Sequence, residues 1–443
     1  MAIVQAPAVR DITSVEARGT RDTGIDLVRS LCVIGVVLLH AIMVGVSVVD
    51  GRPVFDNAST GTWWIVPVSW ALQVMPLFFV IGGFSGLLAY RSVLARGRDA
   101  RSFIAGRVNR LLRPAVVTIA VIGIALWALT AFGVPVDLVT VAGYRYGQPL
   151  WFLAVFLLCQ ALLPALVHLH RTRPLLSLAA LVCAAAGVDM ARAVSGIDAL
   201  GFLNLAFVWL ALQQIGFFLA DGSIDSLPRR TRVRVGAGAA LALLLAFATG
   251  LCSPDLIAHI NPPTTGLILV GIAHTCAVSL NRTRLSVLSA VPVAAAVSGV
   301  IGRRTMTIYL WHMPVLLAMA GVTALVAIGD GSALPVAGSA AWWADRPLWL
   351  ATALTLTALV AIPFTRIETR RPPAPSDSTR RIVLSVLSGL IGVVLLLVVG
   401  TTPVTAMITV GLLVVALHLA AARTRSVWLP RPVLRNARRR ARV

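Results

Sequence analysis

The stretch Asp26–His40, DLVRSLCVIGVVLLH, decides what kind of molecule this is. It is apolar on every helical face, yet it carries Arg29 near one end and His40 at the other. With the residues that follow, to about position 48, it is long enough to cross a hydrocarbon layer of roughly 30 Å. Arg29 and His40 are eleven residues apart. At about 100° and about 1.5 Å per residue, they fall within roughly 20° of one helical face and roughly 16 Å apart along its axis. Asp26 lies on the same side, three residues before Arg29. Ionisable groups at membrane depth ordinarily face a cavity and mark a pathway or a reaction site. Taken singly, Arg29 also fits an interfacial arginine reaching back to water, and His40 a hydrogen bond between helices. Their common face argues against both.

The rest of the chain extends this reading. Of 443 residues, 58% are hydrophobic and only 12% charged. Further apolar spans are expected near 63–90, 114–133, 149–167, 175–190, 203–220, 235–252, 264–280, 305–328 and 347–365, with a final pair near 382–400 and 404–422. Residues 285–302 suit either an interfacial helix or the start of a longer span. The fold class is therefore an all-α, polytopic integral membrane protein, with a ten-helix core and a carboxy-terminal two-helix hairpin. The net charge of +21 does not point to nucleic acid, because the arginines gather between spans. Arg91–Arg113, Arg171 and Arg173, Arg229–Arg234, Arg282–Arg304 and Arg366–Arg381 occupy alternate loops, which predicts both termini in the cytoplasm and a multi-pass protein of the cell membrane.

This gives five segments: a cytoplasmic amino-terminal stretch 1–25, the membrane core 26–366, a polar linker 367–381, the hairpin 382–422 and a basic tail 423–443. The tail is expected to meet anionic lipid. The first span is expected to serve as an uncleaved anchor, since no short apolar core with a cleavage site precedes it. The five cysteines sit in apolar stretches without ligand or disulfide spacing and read as structural thiols. No metal is expected, as no span pairs histidines or carboxylates at ligand spacing.

A stripe with a cation at one end and an imidazole at the other suits an elongated ligand with an anionic head and a reactive tip. Coenzyme A thioesters have that shape. Four further stretches stand in order along the chain: MPLFFVIGGF (Met75–Phe84), RVNRLLRP (Arg107–Pro114), PLWFL (Pro149–Leu153) and RRTMTIYLWHMPV (Arg303–Val315). With the Arg29–His40 spacing, this ordered set over about residues 20–370 resembles acyltransferase family 3, a family of integral membrane proteins. The chain departs from that family in reading Gly82 where a serine is common, and IDLVRSL where Leu-Asp-Gly-Leu-Arg is usual.

The resemblance implies His40 as the catalytic residue, acting as a base on an acceptor hydroxyl or accepting the acyl group itself. No mid-membrane carboxylate is available to orient it, so a hydroxyl, amide or backbone partner is expected. Arg29 is expected at the donor's phosphates. Arg107, Arg110 and Arg113 recur every third residue and would join it along one side of a helix. Asp26, Tyr309, His312 and Asn261 are candidate cavity contacts; Trp151 reads as an interface aromatic, and His168 and His170 as solvated loop residues. The implied reaction moves an acyl group, acetyl for preference, from cytoplasmic acyl-CoA to a hydroxyl of a glycan, lipid-linked sugar or metabolite. Acyl-CoA is a substrate here, and no permanently bound cofactor is expected. The rival reading is a transporter or flippase using the same polar groups. Against it, no second half repeats the Arg–His stripe.

Overall fold

The computed structural model describes residues 22–257 and 260–422. Nearly all of the expected amino-terminal segment and the whole basic tail, 423–443, lie outside the described residues. A chain that must satisfy its backbone without water has few options, and this one takes the helical one almost throughout. The helices are α1 (Thr23–Met43), α2 (Ile65–Leu72), α3 (Met75–Ala95), α4 (Ala100–Ala131), α5 (Val136–Gly147), α6 (Trp151–Thr172), α7 (Pro174–Ser195) and α8 (Asn204–Ala220). They continue as α9 (Arg229–Ala248), α10 (Gly266–Leu280), α11 (Arg282–Ala290), α12 (Pro292–Asp330), α13 (Ala340–Thr369), α14 (Thr379–Val398) and α15 (Pro403–Ala420). Among the described residues, eleven helical segments are long and apolar enough to cross a membrane, and α10 is a shorter apolar helix. Each of the twelve expected spans overlaps one of these helices, and α10, at 15 residues, falls short of the eleven.

Local chemistry sets the boundaries. The Asp22 carboxylate accepts from Ile25 N at 2.9 Å and starts α1; Asp99 does the same for α4 through Ser102 N at 3.0 Å. Thr402 and Thr405 form a reciprocal capping box at α15. Gly196, at φ 67°, ends α7 in the left-handed conformation that glycine adopts without a Cβ penalty.

The first span differs from expectation at its end. α1 stops at Met43, and Val44–Val49 pairs antiparallel with Arg52–Asn57 as a two-stranded hairpin, β1 and β2. The Asp50-Gly51 turn, with φ of 50° and 72°, suits such a hairpin, and VGVSVV is a run of strand-forming residues. The ambiguous segment 285–302 divides between α11 and the first turns of α12. α12 breaks at Arg304, whose φ is −127°.

Small residues let the helices approach. A Cβ on Gly83 would collide with the Gln213 carbonyl, and one on Gly216 with the Val80 carbonyl, so α3 and α8 cross backbone to backbone. α14 and α15 pack into the same interior as the rest: Val393, Leu413 and Ala416 share a cluster with Leu112, Ala115 and Leu157. The linker is pinned beneath them, with Ser376 N bonded to Ala420 O at 2.9 Å and Ala422 N to Ala374 O at 2.8 Å.

Candidate functional site

The last turn of α1 carries His40. Its Nδ1 lies 2.9 Å from the Val36 carbonyl, which can only accept. Nδ1 therefore carries the ring proton, and Nε2 keeps a lone pair. The partner is a backbone carbonyl one turn below, one of the three kinds anticipated from the absence of a carboxylate.

His40 faces a cavity of about 670 Å³. α1 contributes Val33, Val36 and Val37 to its wall, and the loops after β2 and before α10 close the side beyond His40 with Ser59, Thr62 and Asn261. His312 of α12 enters from across the cavity, its ring centroid 4.9 Å from that of His40. The Nδ1 of His312 donates to the Tyr309 carbonyl; its Nε2 is buried and has no hydrogen-bond partner among the described residues. Two imidazoles thus present acceptor nitrogens to one space. Tyr309 also lines it, and its hydroxyl donates to the Pro149 carbonyl at 2.7 Å, fixing the turn that leads into α6.

Asn261 lines the cavity with its amide oxygen accepting from the Trp151 indole N–H at 3.0 Å. Trp151 therefore points inward, stacked on Trp209 with centroids 5.5 Å apart, and is not the interface aromatic its position suggested. Its indole N–H finds a partner inside, which removes the reason to face the headgroups.

A second, smaller cavity of about 90 Å³ lies toward the start of α1. Arg29, Arg107, Arg110, Gly82 and Gln160 line it. Phe78, Phe152, Thr305 and Met306 border both cavities and form the throat between them. On α1, the stripe Arg29, Val33, Val36, Val37 and His40 runs from one cavity into the other. Arg29 also pairs with Asp26 at 2.7 Å. Gly82 faces this smaller space, so the missing side chain widens the cavity, and Phe156 comes within 3.0 Å of where a Cβ would be.

Arg113 does not join them. α4 is helical throughout 100–131, but three residues turn about 300°, so each step falls about 60° behind the last. By Arg113 the side chain has rotated about 120° from Arg107. Arg113 instead bonds the Arg370 carbonyl at 3.0 Å and Asn109 Oδ1 at 3.1 Å, holding the linker. Arg107 and Arg110 border a further groove of about 350 Å³ with Arg96, Arg98 and Pro372.

Two features escaped the sequence. Glu368, at the end of α13, accepts from Met306 N at 3.2 Å and from Thr307 N and Oγ1 at 3.0 and 2.7 Å. These amides are freed by the break at Arg304, so Glu368 caps the half of α12 that carries Tyr309 and His312. His170 is buried against Phe217 and Phe218 with Nε2 2.9 Å from Asp221 Oδ2, where a solvated loop was expected. α6 simply runs further than its hydrophobic pattern, reaching Thr172.

Among the described residues, no three His, Cys, Asp or Glu side chains gather as a metal set. Compared with known families, the chain matches the model of an acyltransferase domain over residues 22–366. No curated protein and no solved structure matches it.

Proposed function

We propose a reaction for this chain from one premise: it belongs to the acyltransferase domain family, and it is a multi-pass membrane acyltransferase. The proposed reaction transfers an acyl group, acetyl in the simplest case, from cytoplasmic acyl-CoA to a hydroxyl of a glycan, lipid-linked sugar or small metabolite at the cell membrane. The observation that carries it is the pair of adjoining cavities, with three arginines around one and two histidines in the other.

Arg29, Arg107 and Arg110 suit the donor's phosphates, since planar guanidinium groups make paired, charge-assisted bonds to phosphate oxygens. The pantetheine arm then threads the throat at Phe78, Phe152, Thr305 and Met306, and the thioester meets His40. There Nε2 takes the acceptor hydroxyl's proton as its oxygen attacks the carbonyl carbon. The tetrahedral adduct collapses with loss of the CoA thiolate, which recovers that proton from the imidazolium. His312 Nε2, also an acceptor, suits the acceptor's second hydroxyl or orients the first. The polar loop residues Ser59, Thr62 and Asn261 at the far side of the cavity suit a hydroxylated acceptor arriving from beyond the His40 end. Counting α10 as a twelfth crossing, this orientation gives both termini in the cytoplasm.

The test uses purified protein, acetyl-CoA labelled in the acetyl group, and a panel of sugar and lipid-linked acceptors. Label transfer that is lost in His40→Ala supports the reading. Equal transfer by His40→Ala, or movement of an acceptor across vesicles without label transfer, overturns it; the second result would favour a transporter.

A further inference from the structure

α12 and α13 part at the ends beyond His40 and His312, leaving a groove of about 600 Å³. It shares no wall residue with the two cavities already described. Val315, Met319 and Val322 form one side, and Leu348 and Leu356 the other. The groove opens sideways: Val322 is 60% and Leu348 75% exposed, on two helices long and apolar enough to span a bilayer. In a bilayer such exposed apolar side chains suit lipid chains.

One cation lines this apolar space. Arg346 has its guanidinium carbon 4.3 Å from the Trp342 ring centre and 4.9 Å from that of Trp349. Its Nε–H is buried and meets no acceptor among the described residues. Arg346 comes six residues after Ala340, the first of α13, so it lies roughly 9 Å along the helix from that end. α13, at 30 residues, is longer than a hydrocarbon core of roughly 30 Å requires, so a position this close to its end suits the headgroup and ester region. Indole faces attract a cation but accept no conventional hydrogen bond, and a desolvated guanidinium at membrane depth is costly without an anion. The groove opens between two helices long and apolar enough to span a bilayer, so the anion best supplied there is a lipid phosphate. Asp345, next in sequence and on the same rim, lends Arg346 a favourable charge without bonding its buried Nε–H, and its carboxylate suits a neighbouring ammonium.

We propose that this groove is a binding site for one glycerophospholipid of the leaflet at the His40 end. Its phosphodiester accepts from Arg346, and an acyl chain lies between α12 and α13. The Trp349 indole that flanks Arg346 donates to the Ala41 carbonyl at 2.8 Å, so the bound lipid braces the turn that carries His40. The binding claim stands apart from the acyl-transfer reading and is measured without activity.

Native mass spectrometry of the full-length protein, released from detergent with added phosphatidylethanolamine, tests it. Wild type is expected to retain one phosphatidylethanolamine about tenfold better than diacylglycerol with the same chains. Arg346→Gln should lose about that factor, Arg346→Lys should be intermediate, and Thr323→Trp, which fills the groove, should lose the lipid as well. Arg52→Gln, on the hairpin, should bind as wild type. Equal retention of diacylglycerol, wild-type retention in Arg346→Gln or Thr323→Trp, or stronger retention of a polyprenyl phosphate each overturns the assignment. Should Arg346→Gln fail to fold, Thr323→Trp and the headgroup comparison decide.

Discussion

His40 and His312 lie 4.9 Å apart, ring centre to ring centre, and each gives its Nδ1 proton to a backbone carbonyl of its own helix. Both rings are thereby fixed in the tautomer that leaves Nε2 as a base, yet they differ in reach. His40 stands on the stripe that continues to Arg29, and His312 does not. His40→Gln is therefore expected to lower kcat by about 10²–10⁴, the ordinary worth of a positioned general base, with acyl-CoA binding retained. His312→Gln should chiefly raise the KM for the acceptor. Steady-state kinetics on both variants checks the split; equal loss of kcat in both would make the two rings one catalytic unit.

The arginines make a sharper contrast. Arg29 and Arg107 line the smaller cavity, whereas Arg113 on the same helix as Arg107 is bonded to the linker. Removing one charge-assisted bond to phosphate costs about 1.5–3 kcal/mol, or roughly ten- to a hundredfold in Kd. Arg107→Ala and Arg29→Ala should weaken acyl-CoA binding by that amount, measured by calorimetry, and Arg113→Ala should leave Kd unchanged while lowering thermal stability slightly.

That contrast also marks where sequence reading stopped. Helix positions followed from apolar length alone, and the shared face of Arg29 and His40 followed from helical pitch. The i+3 spacing of Arg107, Arg110 and Arg113 invited the same treatment, but 300° steps accumulate a drift, and two steps carry the third side chain out of the cavity. Val44–Val48 reads as part of the first span because a strand of valines is as apolar as a helix. Glu368 could not be found at all: its partners are Met306 and Thr307, 62 and 61 residues away, and they need a cap only because α12 breaks at Arg304, where no proline signals it.

Helix crossing at α3 and α8 gives a stability prediction. A methyl on Gly216 meets the Val80 carbonyl, while one on Gly187 of α7 meets nothing within 4 Å. Gly216→Ala should separate the two helices and lose the monodisperse protein in gel filtration. Gly187→Ala should be neutral or stabilising by up to about 1 kcal/mol through helix propensity.

Asp99 gives a pH prediction. The bond from Ser102 N holds its carboxyl below the usual carboxylate range; burial opposes it, and Arg101 adds to the depression. A depressed carboxylate stabilises the fold above its unfolded pKa, about 3.9, and that contribution disappears as pH falls through the folded value. The melting temperature should hold down to about pH 5 and fall below about pH 4. Asp99→Asn, which keeps the cap but cannot titrate, should flatten part of that fall; an unchanged profile would remove Asp99 from the account.

Glu368 joins stability to turnover. Met306 and Thr307 are 5% and 1% exposed, so their N–H groups have little access to water if the carboxylate goes. An orphaned buried donor costs about 1–3 kcal/mol, and Glu368→Ala orphans two, together with the Thr307 hydroxyl. The same residues stand beside the throat, since Thr305 and Met306 border both cavities. Relaxation of this turn would shift Tyr309 and His312 with it, because they follow on the same helix. Glu368→Ala is expected to lower the melting temperature and kcat together, whereas Glu368→Gln, with one oxygen still able to accept, should recover much of both. A variant that melts early but turns over at the wild-type rate would show that the break at Arg304 needs a cap only to fold, and that the throat keeps its shape without one.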